Sequence, residues 1–328
     1  ALVPLNDDRM QAKFVAQRIR DLIEEGTDPN EIAVLYRAHF HSMELQMELT
    51  RGEIPFRITS GIRFFEQAHI KDVVAFMRFV VNPRDELSFR RMVMLLPGIG
   101  PGMAQKLWIR WAACPESRLE TPPESFSALM LDFPVPAKSK TAWTQLCYTL
   151  DELAPAGKIA GPASMLISIN EAVYDEYMQA AFENYDQRRQ DLLHLAGFSE
   201  RFESTEDFLS QLSLLGNTDD ESAAADLSGG AVTLSTIHQA KGLEWSVVFL
   251  IGLCDGMFPH QRVIDDGDLA GLEEERRLFY VGITRAKDQL YLTYPRWNCR
   301  AQGGTFMQMP SRFLDEFPAS LVEEWAVE

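Results

Sequence analysis

Short, continuous apolar runs occur near both ends of this chain and are missing from its middle, and that distribution restricts the folds open to it more than any other feature. EIAVLYR at residues 31–37, AVTLSTIH at 231–238, VVFLIGL at 247–253 and QLYLTYP at 289–295 have the length and continuity of strands buried on both faces, as in a parallel sheet covered by helices. IPFRITSG at 54–61 adds a shorter candidate, in which Phe56 and Ile58 alternate with polar neighbours before Gly61 breaks the chain. Helical patterns lie between these runs. Residues 8–25 place Phe14, Ile19, Leu22 and Ile23 at helical spacing and stop at Gly26; residues 41–51 form a second stretch, and EEERRLFYVGITRA at 273–286 precedes the last strand. Alternation of strand and helix predicts an α/β fold with a parallel sheet.

From about Gly61 the pattern becomes helices separated by Pro and Gly: IKDVVAFMRFVVNP, ELSFRRMVMLLPGIG and PGMAQKLWIRWAA. GNTDDESAAADLSGG at 216–230 is small, acidic and poor in large apolar residues, as expected of a solvated linker. A mainly α-helical domain, residues 63–228, is therefore predicted to interrupt an α/β domain made of residues 1–62 and 229–328. A chain of 328 residues, 46% of them hydrophobic, suits two such domains. No internal repeat is evident. No apolar run approaches the roughly 20 residues of a membrane span, and ALVPLNDDRM at the start has neither a basic nor an apolar leader region, so no membrane partner and an intracellular, cytoplasmic address are expected. Cys114, Cys147, Cys254 and Cys299 are far apart and form no CxxC pair, which predicts reduced, mostly buried thiols rather than a zinc cluster.

Residues 232–260 are the most informative for chemistry. They read as a strand ending in polar residues, a turn, and a second strand; ligands of open α/β sheets bind beyond strand carboxyl ends, which makes Thr236, His238, Lys241 and Glu244 candidates for one shared site. On local pattern alone the plainer reading, ordinary polar groups at a strand end, is the favoured one. MLLPGIGPGMAQKL at 94–107 reads as two helices joined by a Gly-rich hairpin. Gly98 and Gly100 permit tight geometry, backbone amides at the next helix start could hold a phosphate, and Lys106 adds charge. A plain helix–helix corner fits the same residues. Trp108, Trp111, Trp143, Phe126 and Phe133 are read as packing. The acidic stretches at 219–221 and 265–268 lack the spacing of a calcium loop and are read as solvated linkers. A net charge of −17 argues against general electrostatic capture of nucleic acid.

TIHQAKGLEW with VVFLIGL and FPH closely resembles helicase motif V of the UvrD/Rep/PcrA-like superfamily 1 enzymes, and EEERRLFYVGITRAK resembles their motif VI, in the family's order and at about its spacing. The loop VIDDGDLAGL between them is slightly longer. AVLYRAHFHSMELQ, GIRFFEQAHIKDVVAFMRFVVNP and PSRFLDEFP resemble further family segments, and the likeness is weakest between Cys114 and Gly230. The resemblance implies the second RecA-like lobe (2A-like), a P-loop NTPase-like sheet domain without the P-loop, interrupted by a 2B-like helical domain whose GIG loop is helix-hairpin-helix-like. It implies that Arg285 is the arginine finger that reaches the γ-phosphate of ATP, a role worth about 10³ to 10⁵ in rate. Gly282, which would keep the local surface low, and Glu244, toward the ribose, belong with it on the nucleotide side. Arg37, Thr236, His238, Lys241 and His260 match positions on the single-strand side, and Gly98 and Gly100 match a loop that touches duplex DNA. His39, counted with them on the DNA side, stands where the family usually has Asn, and its ring could still hydrogen-bond a base or phosphate. Glu273, Glu274 and Glu275 are read as structural charges at a helix start, Glu273 pairing with Arg277.

GxxxxGK[ST], the loop that cradles nucleotide phosphates, does not occur in the chain, nor does a DE-containing motif II. The expectation is the C-terminal half of an ATP-dependent 3′-to-5′ DNA helicase of repair or replication, silent alone and with no cofactor bound. In the whole enzyme ATP and Mg²⁺ would be used, and the partners would be single-stranded and duplex DNA, the missing N-terminal lobe, and repair or replication proteins. The inserted domain would engage the duplex or regulate unwinding. The rival is a non-catalytic DNA- or protein-binding module built on the same fold; a start at Ala1, without Met and already inside the pattern, favours an excised piece. A helicase–nuclease is a third reading, disfavoured because no nuclease-like segment follows PSRFLDEFP.

Overall fold

Aliphatic and aromatic runs with no interior charge cannot leave either face in water, and in a computed structural model of the chain they form the centre of a parallel sheet. The structure describes residues 1–59, 64–118, 121–216, 230–300 and 304–326. Two compact units are formed, one from Ala1–Phe64 with Leu215–Glu328 and one from Phe65–Leu214.

The first unit begins with β1 (Leu2–Leu5), α1 (Asp8–Glu24), β2 (Ile32–Tyr36), α2 (Met43–Arg51) and β3 (Phe56–Ile58). The chain then makes α3 (Ala68–Val81), α4 (Glu86–Val93), α5 (Pro101–Ala112), α6 (Phe126–Met130), α7 (Lys140–Leu153), α8 (Pro162–Ile169), α9 (Asp175–Ala181), α10 (Tyr185–Ser199) and α11 (Thr205–Gly216). It re-enters the first unit with β4 (Val232–Thr236), β5 (Trp245–Leu250), α12 (Gln261–Asp265), α13 (Leu269–Ile283), β6 (Ala286–Pro295), β7 (Trp297–Arg300) and β8 (Gly304–Met307).

The main sheet has the order β1-β6-β5-β2-β4-β3, every neighbouring pair parallel. This is the RecA-like α/β lobe with a mainly helical insertion that the sequence predicts. Strands β2 and β4 are buried along their whole length. Helices α1 and α2 cover one face through Val15, Ile19, Leu22, Leu45 and Leu49 against Val34, Leu234 and Phe249. Helix α13 covers the other, with Leu278 and Phe279 against Leu35, Val248, Leu250 and Phe313. Both helix starts are capped: Asp7 accepts from the Met10 amide at 2.8 Å and Asp268 from the Gly271 amide at 3.0 Å. Gly26, at φ +99°, ends the α1 turn in the left-handed region.

Four features were not expected. Strand β1 lies beside β6, with Pro4 opposite Tyr294; a proline weakens any strand reading but is tolerated where its missing amide faces no ladder partner. The C-terminal tail then lies along β1, the Leu2 amide donating to Glu323 O at 2.8 Å and the Trp325 amide to Leu2 O at 2.9 Å. Strands β7 and β8 form a separate antiparallel pair with Trp297 opposite Met307. The start of the expected VIDDGDLAGL loop, residues 263–265, belongs to α12, and the acidic 265–268 stretch ends in the Asp268 cap.

In the helical unit no strand occurs among the described residues. Its core joins Phe79, Phe89, Trp111, Phe126 and Trp143, all essentially without exposed surface, and the indole N–H groups of Trp111 and Trp143 donate to Pro83 O and Met130 O at 2.8 and 2.9 Å. The packing role expected for these aromatics is what they have; Trp108 is half-buried against Phe89. Cys147 and Cys254 are buried, Cys114 is half-buried, and all three are free thiols. Gly61, most of the expected 216–230 linker, and the expected boundary residues near 62 and 229 lie outside the described residues, as does the side chain of Cys299.

Candidate functional site

Parallel pairing fixes which loop residues can meet. Tyr36 is in register with Thr236, and Leu35 with Leu250, so the residues after β2, β4 and β5 gather at the carboxyl end of the sheet. Trp245 is in register with Ala286, which puts the residues before β5 and β6 at the opposite, amino end. The single site expected from Thr236, His238, Lys241 and Glu244 is therefore divided: the first two stand at the carboxyl end, Glu244 at the amino end, and Lys241 is exposed on the turn that connects them. The reason is topological. A chain joining two parallel strands must cross back over the length of the sheet.

At the carboxyl end, Arg37 follows β2 directly. Its Nε donates to both carboxylate oxygens of Glu275, at 3.0 and 3.1 Å, and its Nη2 donates to Oε1 at 2.7 Å. Glu275 is buried in α13. Thr236 is buried, its hydroxyl donating to Gln239 Oε1 at 3.2 Å, while its carbonyl accepts from the Gln239 and Ala240 amides. His238 is exposed beyond β4. His260 caps α12, its Nδ1 accepting from the Arg262 amide at 3.2 Å, so that its proton sits on Nε2. Both imidazoles are held below the usual histidine pKa, first by desolvation and then by the Arg37 charge, with Glu275 opposing the shift. His39 lies on the turn after β2, its ring edge-on to Tyr36 at 6.1 Å.

The loop that carries His260 is fixed from below. Arg312 grips Asp255 through Nε and Nη2, the latter at 2.7 Å, the Ser311 amide donates to Leu253 O, and Phe258 is buried against Phe279 and Phe313.

At the amino end, Arg285 follows the last turn of α13. Its Nε donates to Val281 O and its Nη1 to Leu243 O, both at 2.9 Å, and its Nη2 donates to the Thr284 hydroxyl at 3.1 Å. Glu244, adjacent to Leu243, is exposed and 3.5 Å from Lys287, which also approaches Glu31 at 3.8 Å. Arg285, Glu244 and Lys287 thus share one corner. Gly282 does not face it: it is buried, and a Cβ there would lie 3.3 Å from Leu250 Cδ1 and 3.6 Å from Ile237. Its smallness serves helix-on-sheet packing instead of a low outer surface.

Among the three glutamates, the helix begins four residues earlier than read, at Leu269, so none is at its start. Glu273 pairs with Arg276 and Glu274 with Arg277, one residue off the expected Glu273–Arg277 pair. Glu275 is the residue that sequence reasoning undervalued. Its signal was present, since it precedes the apolar pair Leu278 and Phe279 by three and four residues and so shares their inward face.

In the helical unit, Gly98 has φ +81° in the turn before α5, and a Cβ there would collide with the Lys138 side chain. Ser139 Oγ donates to Pro97 O at 2.6 Å, pinning the same turn. Gly100 is the N-cap of α5 with open space at its Cα, and Lys106 is exposed. No cluster of three or more metal-ligating side chains, and no helix long and apolar enough to cross a membrane, occurs among the described residues.

A family model described as the UvrD-like helicase C-terminal domain matches residues 4–114 and 172–296. The chain is 32% identical over 334 residues to DNA helicase II of Escherichia coli strain K12, covering 96% of the chain and 44% of that protein. It is 34% identical over 327 residues to the ATP-dependent DNA helicase PcrA of Bacillus subtilis strain 168, covering 95% and 43%. To the ATP-dependent DNA helicase UvrD1 of Mycobacterium tuberculosis strain H37Rv it is 32% identical over 350 residues, covering 97% and 43%. The chain therefore spans less than half the length of these relatives.

Proposed function

Because the chain belongs to the UvrD-like helicase C-terminal domain family, we propose that its sheet unit is the second ATP-facing lobe of a 3′-to-5′ DNA helicase, with the helical unit as the inserted duplex-contacting domain. The observation that carries this reading is the separation of two chemistries to opposite ends of one sheet. The amino end offers a cation and a carboxylate together, Arg285 and Glu244, bridged by the Leu243 carbonyl. The carboxyl end offers Arg37 with His238, His260 and the Thr236 turn, groups that donate to phosphates or stack on bases.

The residues present fit part of a nucleotide site and no more. ATP, when bound, supplies the phosphoryl bond whose hydrolysis drives movement along the strand. This chain contributes Arg285, whose guanidinium would exchange the Leu243 carbonyl for developing phosphate charge, and Glu244, whose carboxylate can accept from ribose hydroxyls. Neither a phosphate cradle nor a metal-holding carboxylate set is among its motifs, so the chain by itself should not turn over ATP. Lys241, on the turn between the two ends, links the strand side, where Thr236 stands, to the nucleotide side. In the helical unit the rigid Gly98 turn and the Gly100 helix start, with Lys106 nearby, supply amides and a charge for duplex phosphates.

The test joins the chain to a phosphate-binding lobe from a relative and replaces Arg285 with Ala. DNA-stimulated ATP hydrolysis should fall by about 10³-fold or more; a rate near that of the unsubstituted protein would sink the assignment. A non-catalytic binding module is the alternative that the net charge of −17 favours. A GxxxxGK[ST] loop encoded upstream decides for the motor, and its absence for the module.

A further inference from the structure

We propose that Glu275 is the positioning residue of the strand-facing end: it locks the Arg37 guanidinium through Nε and Nη2 and leaves Nη1 to take a phosphodiester oxygen of a single strand. The inference rests on the strand-side reading above and assigns a role within it.

An arginine at the end of a strand ordinarily samples many rotamers, and each must be given up when a phosphate binds. Here the choice is already made. The fork of Arg37 meets both oxygens of Glu275 at 2.7 to 3.1 Å, the bidentate geometry that fixes a guanidinium plane as well as its distance. The two partners are unequally covered, the Glu275 side chain 7% exposed and that of Arg37 25%. A pair serving the core alone would hide both; this one hides the carboxylate and presents the cation. Arg37 Nη1 has no hydrogen-bond partner among the described residues.

The surroundings point the same way. Each of the four groups comes from a different segment: Arg37 after β2, His238 after β4, His260 after β5, and Glu275 from α13. The charges acting on the two rings are Arg37, Glu275 and, in turn, Glu274 for His238 and Arg262 for His260. In a chain of net charge −17, a phosphate can be held only where cationic and neutral donors are concentrated and the nearest acid is already engaged. Glu275 provides that engagement. Its α13 face is set by Leu278 and Phe279, and with its side chain 7% exposed its carboxylate is turned inward, toward Arg37.

The experiment measures binding of a fluorescent oligothymidylate to the full chain at low ionic strength, for the unsubstituted protein, Arg37→Ala, Glu275→Gln and the double variant. Arg37→Ala should weaken binding roughly tenfold, Glu275→Gln by a similar factor, and the double variant no more than Arg37→Ala alone. Glu275→Gln should also move the NMR titrations of His238 and His260 to lower pH, because the carboxylate's field raises both. Binding unchanged by Glu275→Gln but weakened by Arg37→Ala overturns the positioning role and leaves the strand reading intact. Binding unchanged by Arg37→Ala overturns both. Should Glu275→Gln fail to fold, the unsubstituted protein still decides: slow exchange of the Arg37 Nε proton, with and without oligonucleotide, supports the lock, and exchange as fast as that of exposed arginines overturns it.

Discussion

Asp8 shows how far a position can alter a residue. It begins α1, where the helix dipole favours a negative charge, yet desolvation, followed by repulsion from Glu44 and Asp7, pushes its carboxyl up to about 7. A folded-state pKa above the unfolded one means that the folded protein holds the proton more tightly. The associated stability is fully present below the unfolded value near 4 and is lost as pH rises through about 7. Asp8→Asn should therefore raise the melting temperature at alkaline pH and leave it nearly unchanged in acid; an equal shift at both would show that the charge is not the cause. The Asp8 environment was not legible in the sequence, because its neighbours Gln11, His41 and Ile251 come from segments up to hundreds of residues away. The same limit hid the Arg37–Glu275 pair, whose partners are 238 residues apart. What was legible at this scale was the set of polar residues at the strand ends, without the knowledge that the β4–β5 crossing parts Thr236 from Glu244.

Helix α13 is the element on which both ends of the sheet depend, with Glu275 in its body and Arg285 just past its last turn. Gly282 governs how closely it lies on β5. Gly282→Val would place a Cβ 3.3 Å from Leu250 Cδ1, with two methyl groups beyond it, and should cost about 1–3 kcal/mol in denaturant unfolding; a loss below about 0.5 kcal/mol would mean the helix is free to lift. The elements that sequence placed well are those whose signal is local: β2, β4, β5 and β6 as unbroken apolar runs, α1 and α3 by their period and end signals. Those it missed borrow their order from elsewhere. Strand β1 contains Pro4 and exists because β6 accepts it, and β7 and β8 exist as a pair, each supplying the other's hydrogen bonds.

At the scale of the molecule, the division into a sheet unit and a helical unit follows from the chain leaving the sheet after β3 and returning at β4, adjacent strands in the same sheet. Each unit carries its own aromatic core. The sheet unit also gathers the two ends of the chain: the tail, held on Leu2 by its backbone and on Phe14 and Tyr291 by the Trp325 ring, lies where a seventh strand would go. Without residues 322–328 the outer side of β1 would offer unpaired amide and carbonyl groups and an uncovered aromatic patch, an invitation to edge-to-edge association. The shortened chain should elute from a sizing column earlier than the full chain, as larger species; a shortened chain that elutes no earlier than the full chain would show the cover to be dispensable. The last residues thus act as a removable selvedge, one that keeps a finished sheet from being continued by a stranger.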